Sequence, residues 1–383
     1  MNILVICHYG LYQNLQNSFV HHQVKALVEL GHNVRVIIPI PYGKKGSDNN
    51  RISRGVMERN VDGAELVYVR YLTLSKYGEK SFNFESAMYF IEKNEMQILR
   101  NFSIDIIHAH TLGFDGNIGK RLAKKYKKPL VVTSHGSDAS VPHEKGRLQY
   151  LLQCCEGIDC IVAVSSVLGK KIRSSGTKTN VVSILNGFDL KNLPDKQVKE
   201  QYSFLQVSNL LPSKRVNVTI EAFAEIKRNY EQARLYIVGS GPEKDKLERL
   251  CDNLGISDSV EFMGKIPNLD VLKKMAATQF FIMPSVREGF GIVYLEAMAC
   301  GCITIGTQGE GIEDVICSGE NGFLVPPDNP EAIIRIVEKC FNGLSDVQKI
   351  VEQGKMISKE LSWKKNALAY TKLYKELLSE NFK

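Results

Sequence analysis

The sequence predicts an α/β protein built from two doubly wound, Rossmann-like domains, and three observations carry that prediction. Short, near-continuous apolar runs alternate with helical patterns along the whole chain, as strands buried on both faces of a parallel sheet do. The alternation breaks once, between Asn186 and Gln201, where Asn186-Gly187, Pro194 and a polar stretch have turn and linker chemistry rather than strand chemistry. Finally, 383 residues with 44% hydrophobic content exceed the size at which one core stops growing.

The first series has strands at Ile3–Cys7, Val34–Ile38, Leu66–Val69, Ile104–His108, Leu130–Ser134, Ile161–Val164 and Val181–Leu185. Helices are expected between them, such as Asn14–Leu30, stopped by Gly31, and Glu85–Arg100. The second series has strands at Phe204–Val207, Leu235–Val238, Val260–Met263, Phe280–Met283, Ile303–Ile305 and Phe323–Val325. The domains are therefore set at 1–194 and 195–361, with ligands expected in a cleft beyond the carboxyl ends of the strands. A last helix from about Ser362 contains the only tryptophan, Trp363, and residues 362–383 are assigned to the first domain.

Composition removes several function classes. A 24% charged fraction without low-complexity tracts excludes long disordered regions. The start of the chain, Met1-Asn2-Ile3-Leu4-Val5, reads as a first buried strand rather than a signal peptide or membrane span. Neither Cys154-Cys155 nor the Cys300–Cys302 pair has the spacing of a zinc or redox site, so the nine cysteines read as reduced residues of a cytoplasmic protein.

Charge is uneven. Residues 1–194 hold 25 Lys/Arg against 16 Asp/Glu, whereas 195–383 hold 24 against 26. The densest basic stretch, Lys120 to Lys128, carries six cations and no anion on an expected helix. It reads either as a solvated helix face or as a contact for anionic lipid or an acidic acceptor. Nucleic acid is not expected as a partner, because no aromatic interleaving or recognised nucleic-acid motif accompanies the stretch.

The chemistry is concentrated in Met283–Gly301. A strand ends at Pro284, Gly289 and Gly291 allow a close backbone approach, and a helix then runs until Gly301 ends it. Free amides and the positive end of the helix dipole suit a pyrophosphate. Glu288 precedes that helix, and Glu296 lies two turns along it, where a carboxylate can accept from both ribose hydroxyls. A second glycine-rich strand end, Val238-Gly239-Ser240-Gly241-Pro242, invites a rival reading as a dinucleotide fingerprint, with Glu261 as the ribose acid. Lys244 stands where the third glycine would be, which argues against an NAD enzyme.

The Glu288–Glu296 segment resembles the E-x7-E motif of retaining glycosyltransferases with the GT-B fold, and the chain is most similar to glycosyltransferase family 4 (glycosyl transferases group 1), especially enzymes of bacterial cell-surface polysaccharide synthesis. The resemblance implies that Glu288 holds hydroxyls of the transferred sugar, that Phe290, Gly291 and Ile292 offer amides to the phosphates, and that Glu296 holds the ribose. It implies that Lys214 reaches the diphosphate and that Gly239 and Gly241, in a segment that also matches the family, help bind the donor. Asn209 replaces the arginine usual five residues earlier, leaving either a hydrogen bond from Asn209 or compensation by Arg215. Lys265 and Ile266 fall in the loop whose backbone reads the nucleotide base, and Gly309 and Gly311 fall where amides help enclose the sugar. In the first domain the likeness places Gly10 in the loop after the first strand, His135 facing the donor sugar and Asp138 beside it on the acceptor side.

The expected activity is front-face, retaining transfer from a nucleotide-diphosphate sugar, a UDP-sugar favoured, to a glycan or lipid-linked acceptor. The nucleotide-sugar is a co-substrate; no cofactor or metal is expected, since no Asp-x-Asp stands in the donor loops. The expected place is cytoplasmic, with the inner membrane face as an option through the basic first domain. The alternatives are another GT-B enzyme, a phosphorylase or epimerase, or a non-catalytic nucleotide-sugar binding protein.

Overall fold

A computed structural model describes residues 1–8, 19–42, 56–73, 81–139, 145–189, 193–195, 197–343 and 346–380. They form two compact units, Met1–Gly187 with Trp363–Lys383, and Phe188–Ser362. Each is an α/β unit of the Rossmann-like kind.

Unit 1 runs β1 (Asn2–Ile6), α1 (Phe19–Glu29), β2 (Asn33–Pro41), β3 (Val56–Val61), β4 (Ala64–Tyr71), α2 (Ser81–Lys93), α3 (Glu95–Ile98), β5 (Ile106–His110), α4 (Phe114–Tyr126), β6 (Leu130–Ser134), α5 (Lys145–Cys155), β7 (Cys160–Ala163), α6 (Ser166–Arg173) and β8 (Asn180–Ser183). Its sheet has the order β3-β4-β2-β1-β5-β6-β7-β8. The inner strands are apolar without alternation because helices cover both faces, and Ile3, Leu4, Val5 and Ile6 are fully buried.

The sheet is not wholly parallel, as the alternating pattern had implied. β3 pairs antiparallel with β4 through a hairpin whose turn residues Asp62 and Gly63 have φ of 49° and 82°. Asp-Gly is a strong hairpin signal. The strand it introduces, Met57-Glu58-Arg59-Asn60, is a half-exposed edge and lacks the apolar run that marks a buried strand. Two further expectations are corrected. Strand β5 sits two residues later than Ile104–His108, which brings His110 to its end. The helix expected over Glu85–Arg100 starts earlier, at Ser81, and is interrupted at Asn94.

Unit 2 runs β9 (Glu200–Val207), α7 (Val216–Asn229), β10 (Arg234–Val238), α8 (Lys244–Leu254), β11 (Val260–Gly264), α9 (Asn268–Ala277), β12 (Thr278–Ile282), α10 (Ile292–Ala299), β13 (Ile303–Thr307), β14 (Phe323–Val325), α11 (Pro330–Phe341) and α12 (Val347–Glu360). The sheet order is β11-β10-β9-β12-β13-β14, parallel in every pairing. Strand order reverses between β9 and β12, the kind of switch point where ligands of such sheets bind. Phe204 and Phe280 stack at 5.1 Å at the centre of this core. Helix starts follow local chemistry: Asn329 accepts from the Ala332 amide at 2.9 Å ahead of Pro330, which needs no acceptor for a missing N–H.

The last helix, α13 (Trp363–Glu380), belongs to unit 1 and packs on α1. Trp363 stacks on His22 at 5.8 Å, Gln23 donates to Asn366 at 2.9 Å, and Asn366 donates to the Leu185 carbonyl at 2.7 Å. Buried amide pairs of this kind fix helix register because an unpaired partner is costly. No helix among the described residues is long and apolar enough to cross a membrane.

Candidate donor site and a histidine cluster

In unit 2 the loops at the carboxyl ends of β9, β10, β12 and β13 converge. Chain leaving β12 reaches Ser285 and turns through Glu288, Gly289, Phe290 and Gly291 into α10. Fully buried Tyr294, one turn into that helix, donates to the Met283 carbonyl at 2.5 Å and pins the turn from below. Its ring lies 2.6 Å from where a Cβ on Gly291 would stand, and Gly291 has φ of 81°, so only glycine fits there. Phe290 is buried beneath the turn. The amides of Phe290, Gly291, Ile292 and Val293 bond to no described protein group, as expected of a helix start without a side-chain cap. Four donors and the helix dipole thus remain for an anion.

Glu288 is fixed from two sides. Its carboxylate pairs with Lys214, both side chains about one-fifth exposed or less. Its amide donates to the buried Glu310 carboxylate at 2.8 Å, and its carbonyl accepts from the Gly311 amide at 3.3 Å. A Cβ on Gly311 would lie 2.0 Å from the Gly289 carbonyl, so the loop after β13 lies directly against the turn. Lys214 belongs to a one-turn 3-10 helix, Pro212–Lys214, anchored where Val286 donates to the Ser213 carbonyl at 2.8 Å and Gln206 donates to the Lys214 carbonyl at 2.9 Å.

One site candidate beside Lys214 has a partner of its own. Arg215, in the left-handed conformation, pairs with Asp328 at 2.6 Å, and Asn209 stands exposed in the loop after β9. Arg215 is therefore held by its own acid. Gly239 and Gly241 have a packing reason that is independent of ligand: Cβ atoms there would lie 1.8 Å from the Ser208 carbonyl and 2.3 Å from that of Leu210. The two loops also exchange hydrogen bonds, Ser208 to Val238 at 3.0 Å and Leu210 to Ser240 at 3.0 Å. Lys265 and Ile266 lie between β11 and α9, Lys265 exposed.

Glu296 accepts from the Asn268 side chain at 3.1 Å. Burial raises its carboxyl above the usual range, and the Asn268 bond only partly opposes that. The Gly309 amide donates to Glu313 at 2.7 Å, so in this structure Gly309 and Gly311 both spend their amides on protein acceptors.

In unit 1, His135 follows β6 with its ring against Phe19 at 4.2 Å and stacked on His110 at 5.3 Å. The His135 Nε2 to His110 Nδ1 distance is 3.0 Å. His108, two residues before His110 and so on the same face of β5, bonds Thr133 at 2.8 Å and Tyr374 of α13 at 2.7 Å. Burial pushes His135 down to about 4 and His108 to about 3, and His110 falls well below 6.5 from burial and its neighbouring imidazoles. All three are neutral near pH 7. Asp138 is consumed by the loop: its carboxylate accepts from Ser134 Oγ, the His135 and Gly136 amides, and the Leu112 amide, at 2.9 to 3.2 Å. It shapes the turn that presents His135. His8 bonds buried Asp115 at 2.8 Å; burial alone would lower its pKa, but the carboxylate's charge and hydrogen bond win and raise it. Gly10 lies outside the described residues.

Comparison with known proteins decides the family. The model for glycosyltransferase family 4 matches residues 16–192, and that for glycosyl transferases group 1 matches 191–356. The N-acetyl-alpha-D-glucosaminyl L-malate synthase of Bacillus anthracis is 30% identical over 296 residues, covering 73% of this chain and 76% of that protein. This chain belongs to glycosyltransferase family 4. Another relative, the alpha-monoglucosyldiacylglycerol synthase of Acholeplasma laidlawii, is 24% identical over 78% of both proteins. Among solved structures, the sucrose-phosphate synthase of Thermosynechococcus elongatus superposes with a TM-score of 0.79 at 19% identity, covering 99% of both chains. Anabaena HepE, solved with UDP and glucose, gives 0.75 at 18% over 98% of this chain and all of that one. At these identities the structural likeness speaks for the GT-B fold. With family membership established, the chain is a glycosyltransferase.

Sequence reasoning missed four residues that support the candidates: in unit 2 Glu310 and Tyr294, which hold the Glu288 turn, and Asn268, which holds Glu296; in unit 1 His110, which contacts His135. Glu310 was legible as an acid between two glycines. His110 was hidden by the misplaced strand. Asn268 and Tyr294 carry no sequence signal of their own, since each acts through a tertiary contact.

Proposed function

We propose that this glycosyltransferase moves a sugar, with retention of configuration, from a nucleoside-diphosphate donor held by unit 2 to a glycan or lipid-linked acceptor. One observation carries the reading: a Lys214–Glu288 pair stands beside four amides at the start of α10 that bond to no described protein group. In the ground state Lys214 balances Glu288; with donor present, Glu288 turns to sugar hydroxyls and Lys214 with the amides meets the diphosphate. The acceptor oxygen bonds to the anomeric carbon on the face from which the phosphate departs. The C–O bond to phosphate breaks, and the acceptor proton passes to the leaving phosphate oxygen. Stabilisation of that phosphate falls to a lysine and backbone amides, without a metal.

A UDP-sugar is the favoured donor, and the solved HepE complexes with UDP and UDP-glucose support that choice. Relatives named for malate and for diacylglycerol products show how widely acceptors vary at this level of likeness. The proposal extends to docking on an anionic membrane through the basic stretch of unit 1. Arg121 pairs with Glu85 and Glu92, Lys125 with Glu95, and Lys120 donates to the Gln153 carbonyl at 3.0 Å. Only Lys124, Lys127 and Lys128 of the basic stretch lack such partners among the described residues.

The test is a thermal-shift panel of UDP-, GDP- and ADP-sugars followed by transfer assays with Glu288→Ala and Glu296→Ala. A donor that binds only the folded state raises its melting temperature. Glu288→Ala should abolish transfer more than nucleotide binding, and Glu296→Ala the reverse; near-normal transfer by Glu288→Ala would remove the role assigned to it.

A further inference from the structure

His110 Nε2 is buried without a hydrogen-bond partner, although its ring is almost completely enclosed. The neighbours that might have served it are occupied. Both nitrogens of His108 are used by Thr133 and Tyr374, the Thr133 hydroxyl is shared with Tyr370 at 2.7 Å, and the Asp138 carboxylate is taken by the turn. Among the described residues, the His110 side chain therefore has one polar contact, from Nδ1 to His135 Nε2 at 3.0 Å.

A neutral imidazole carries one N–H, so that contact has two arrangements. If His135 Nε2 donates, His110 must carry its proton on Nε2, leaving a buried N–H with nothing to accept it. If His110 Nδ1 donates, the orphan is a lone pair. Orphaned buried N–H groups are rarer than under-satisfied acceptors, which selects the second arrangement. In that arrangement His135 accepts at Nε2 and keeps its own proton on Nδ1, a nitrogen that bonds to no described protein group.

We propose that His110 is a positioning residue that holds His135 as the Nδ1–H tautomer, so that His135 offers a hydrogen-bond donor, not an acceptor, to a substrate oxygen. The role toward ligand rests on the donor reading above; the tautomer does not. His135 then acts as a fixed dipole rather than a base, and no proton leaves it during transfer. The second histidine of His108-Ala109-His110 is the orienting partner that a carboxylate or backbone carbonyl provides for histidines elsewhere.

The experiment is two-bond 1H–15N correlation on the full chain labelled at histidine, near pH 7.5, for wild type, His110→Phe and His110→Asn, with His135→Asn used to assign the signal. In wild type the His135 Nδ1 should be protonated and Nε2 bare. His110→Phe, which keeps an aromatic ring but no donor, should release His135 to the Nε2–H form or a mixture. His110→Asn, whose amide nitrogen stands where Nδ1 stood, should restore the Nδ1–H form. Donor KM or kcat should worsen about three- to tenfold in His110→Phe, the change that one neutral hydrogen bond corresponds to, and recover in His110→Asn. An Nε2–H signal for His135 in wild type, or an unchanged tautomer in His110→Phe, overturns the proposal. An Nδ1–H signal in a protein that uses no nucleotide-sugar would instead sustain the tautomer and remove the donor reading.

Discussion

The two units carry the same strand-end architecture with opposite electrostatics. Unit 2 ends its strands in charges that are matched: Lys214 against Glu288, Arg215 against Asp328, and uncapped amides awaiting an anion. Unit 1 ends β5 and β6 in neutral imidazoles, with the nearby Asp138 carboxylate saturated by the turn. A charged diphosphate calls for compensating charge and free N–H groups, whereas a sugar hydroxyl calls for neutral, directional hydrogen bonds. The contrast teaches that the fold supplies the loop positions and the loop chemistry supplies the role.

The contrast breaks most visibly at Lys214. Lys214→Met leaves Glu288 without its partner and the leaving phosphate without its cation, and kcat/KM for donor should fall about 100- to 1000-fold. An equal loss in His135→Asn would show that the charge difference between the units does not govern catalysis.

Acid should separate the units next. His108 and His110 are buried neutral, with pKa values below the ordinary 6.5. The unfolded chain therefore binds protons that the folded state refuses. Stability is intact above pH 6.5 and falls as pH drops below it, by about 1.4 kcal/mol per pH unit for each such histidine until its folded pKa is reached. Unit 1 should lose near-UV and hydrogen-exchange protection at a higher pH than unit 2; simultaneous loss would count against neutral burial of the cluster.

Gly239→Ala presses a methyl group toward the Ser208 carbonyl at a φ of 137° and should cost roughly 1–3 kcal/mol by chemical denaturation. The glycine would then be shown to serve loop packing before it serves a ligand.

Glu296→Gln sharpens the comparison differently. Its raised carboxyl pKa means that stability is fullest below the unfolded value near 4.5 and declines until pH passes the folded value. At pH 7.5 the neutral amide should therefore raise the melting temperature while weakening nucleotide binding roughly tenfold, the loss of a charge-assisted bond. The smallest effect belongs to Lys124, Lys127 and Lys128. Their joint replacement by Gln should reduce binding to anionic vesicles, with transfer to a soluble acceptor unchanged; unchanged vesicle binding would remove the membrane contact.

How far the sequence revealed this follows the same division. The Glu288–Glu296 turn was legible because its chemistry is local: glycines, a helix start and two acids lie within about a dozen residues. The positions of the buried strands followed from their apolar runs. β3 escaped because an exposed edge strand has no such run, despite its Asp62-Gly63 turn. The histidine cluster escaped because β5, β6 and α13 meet only in three dimensions, and Tyr374 lies 266 residues from His108. The docking of α13 on α1 depends likewise on Trp363, Gln23 and Asn366 meeting across the chain.

We propose that unit 2 recognises the nucleotide at the turn into α10. The most direct test is isothermal titration of the wild-type chain with UDP, GDP and ADP, repeated with the best binder on Lys214→Met, Glu296→Gln and His135→Asn. The account predicts roughly tenfold or greater loss in the first two variants and wild-type affinity in the third. Unchanged affinity in Lys214→Met and Glu296→Gln, with loss in His135→Asn, would contradict it.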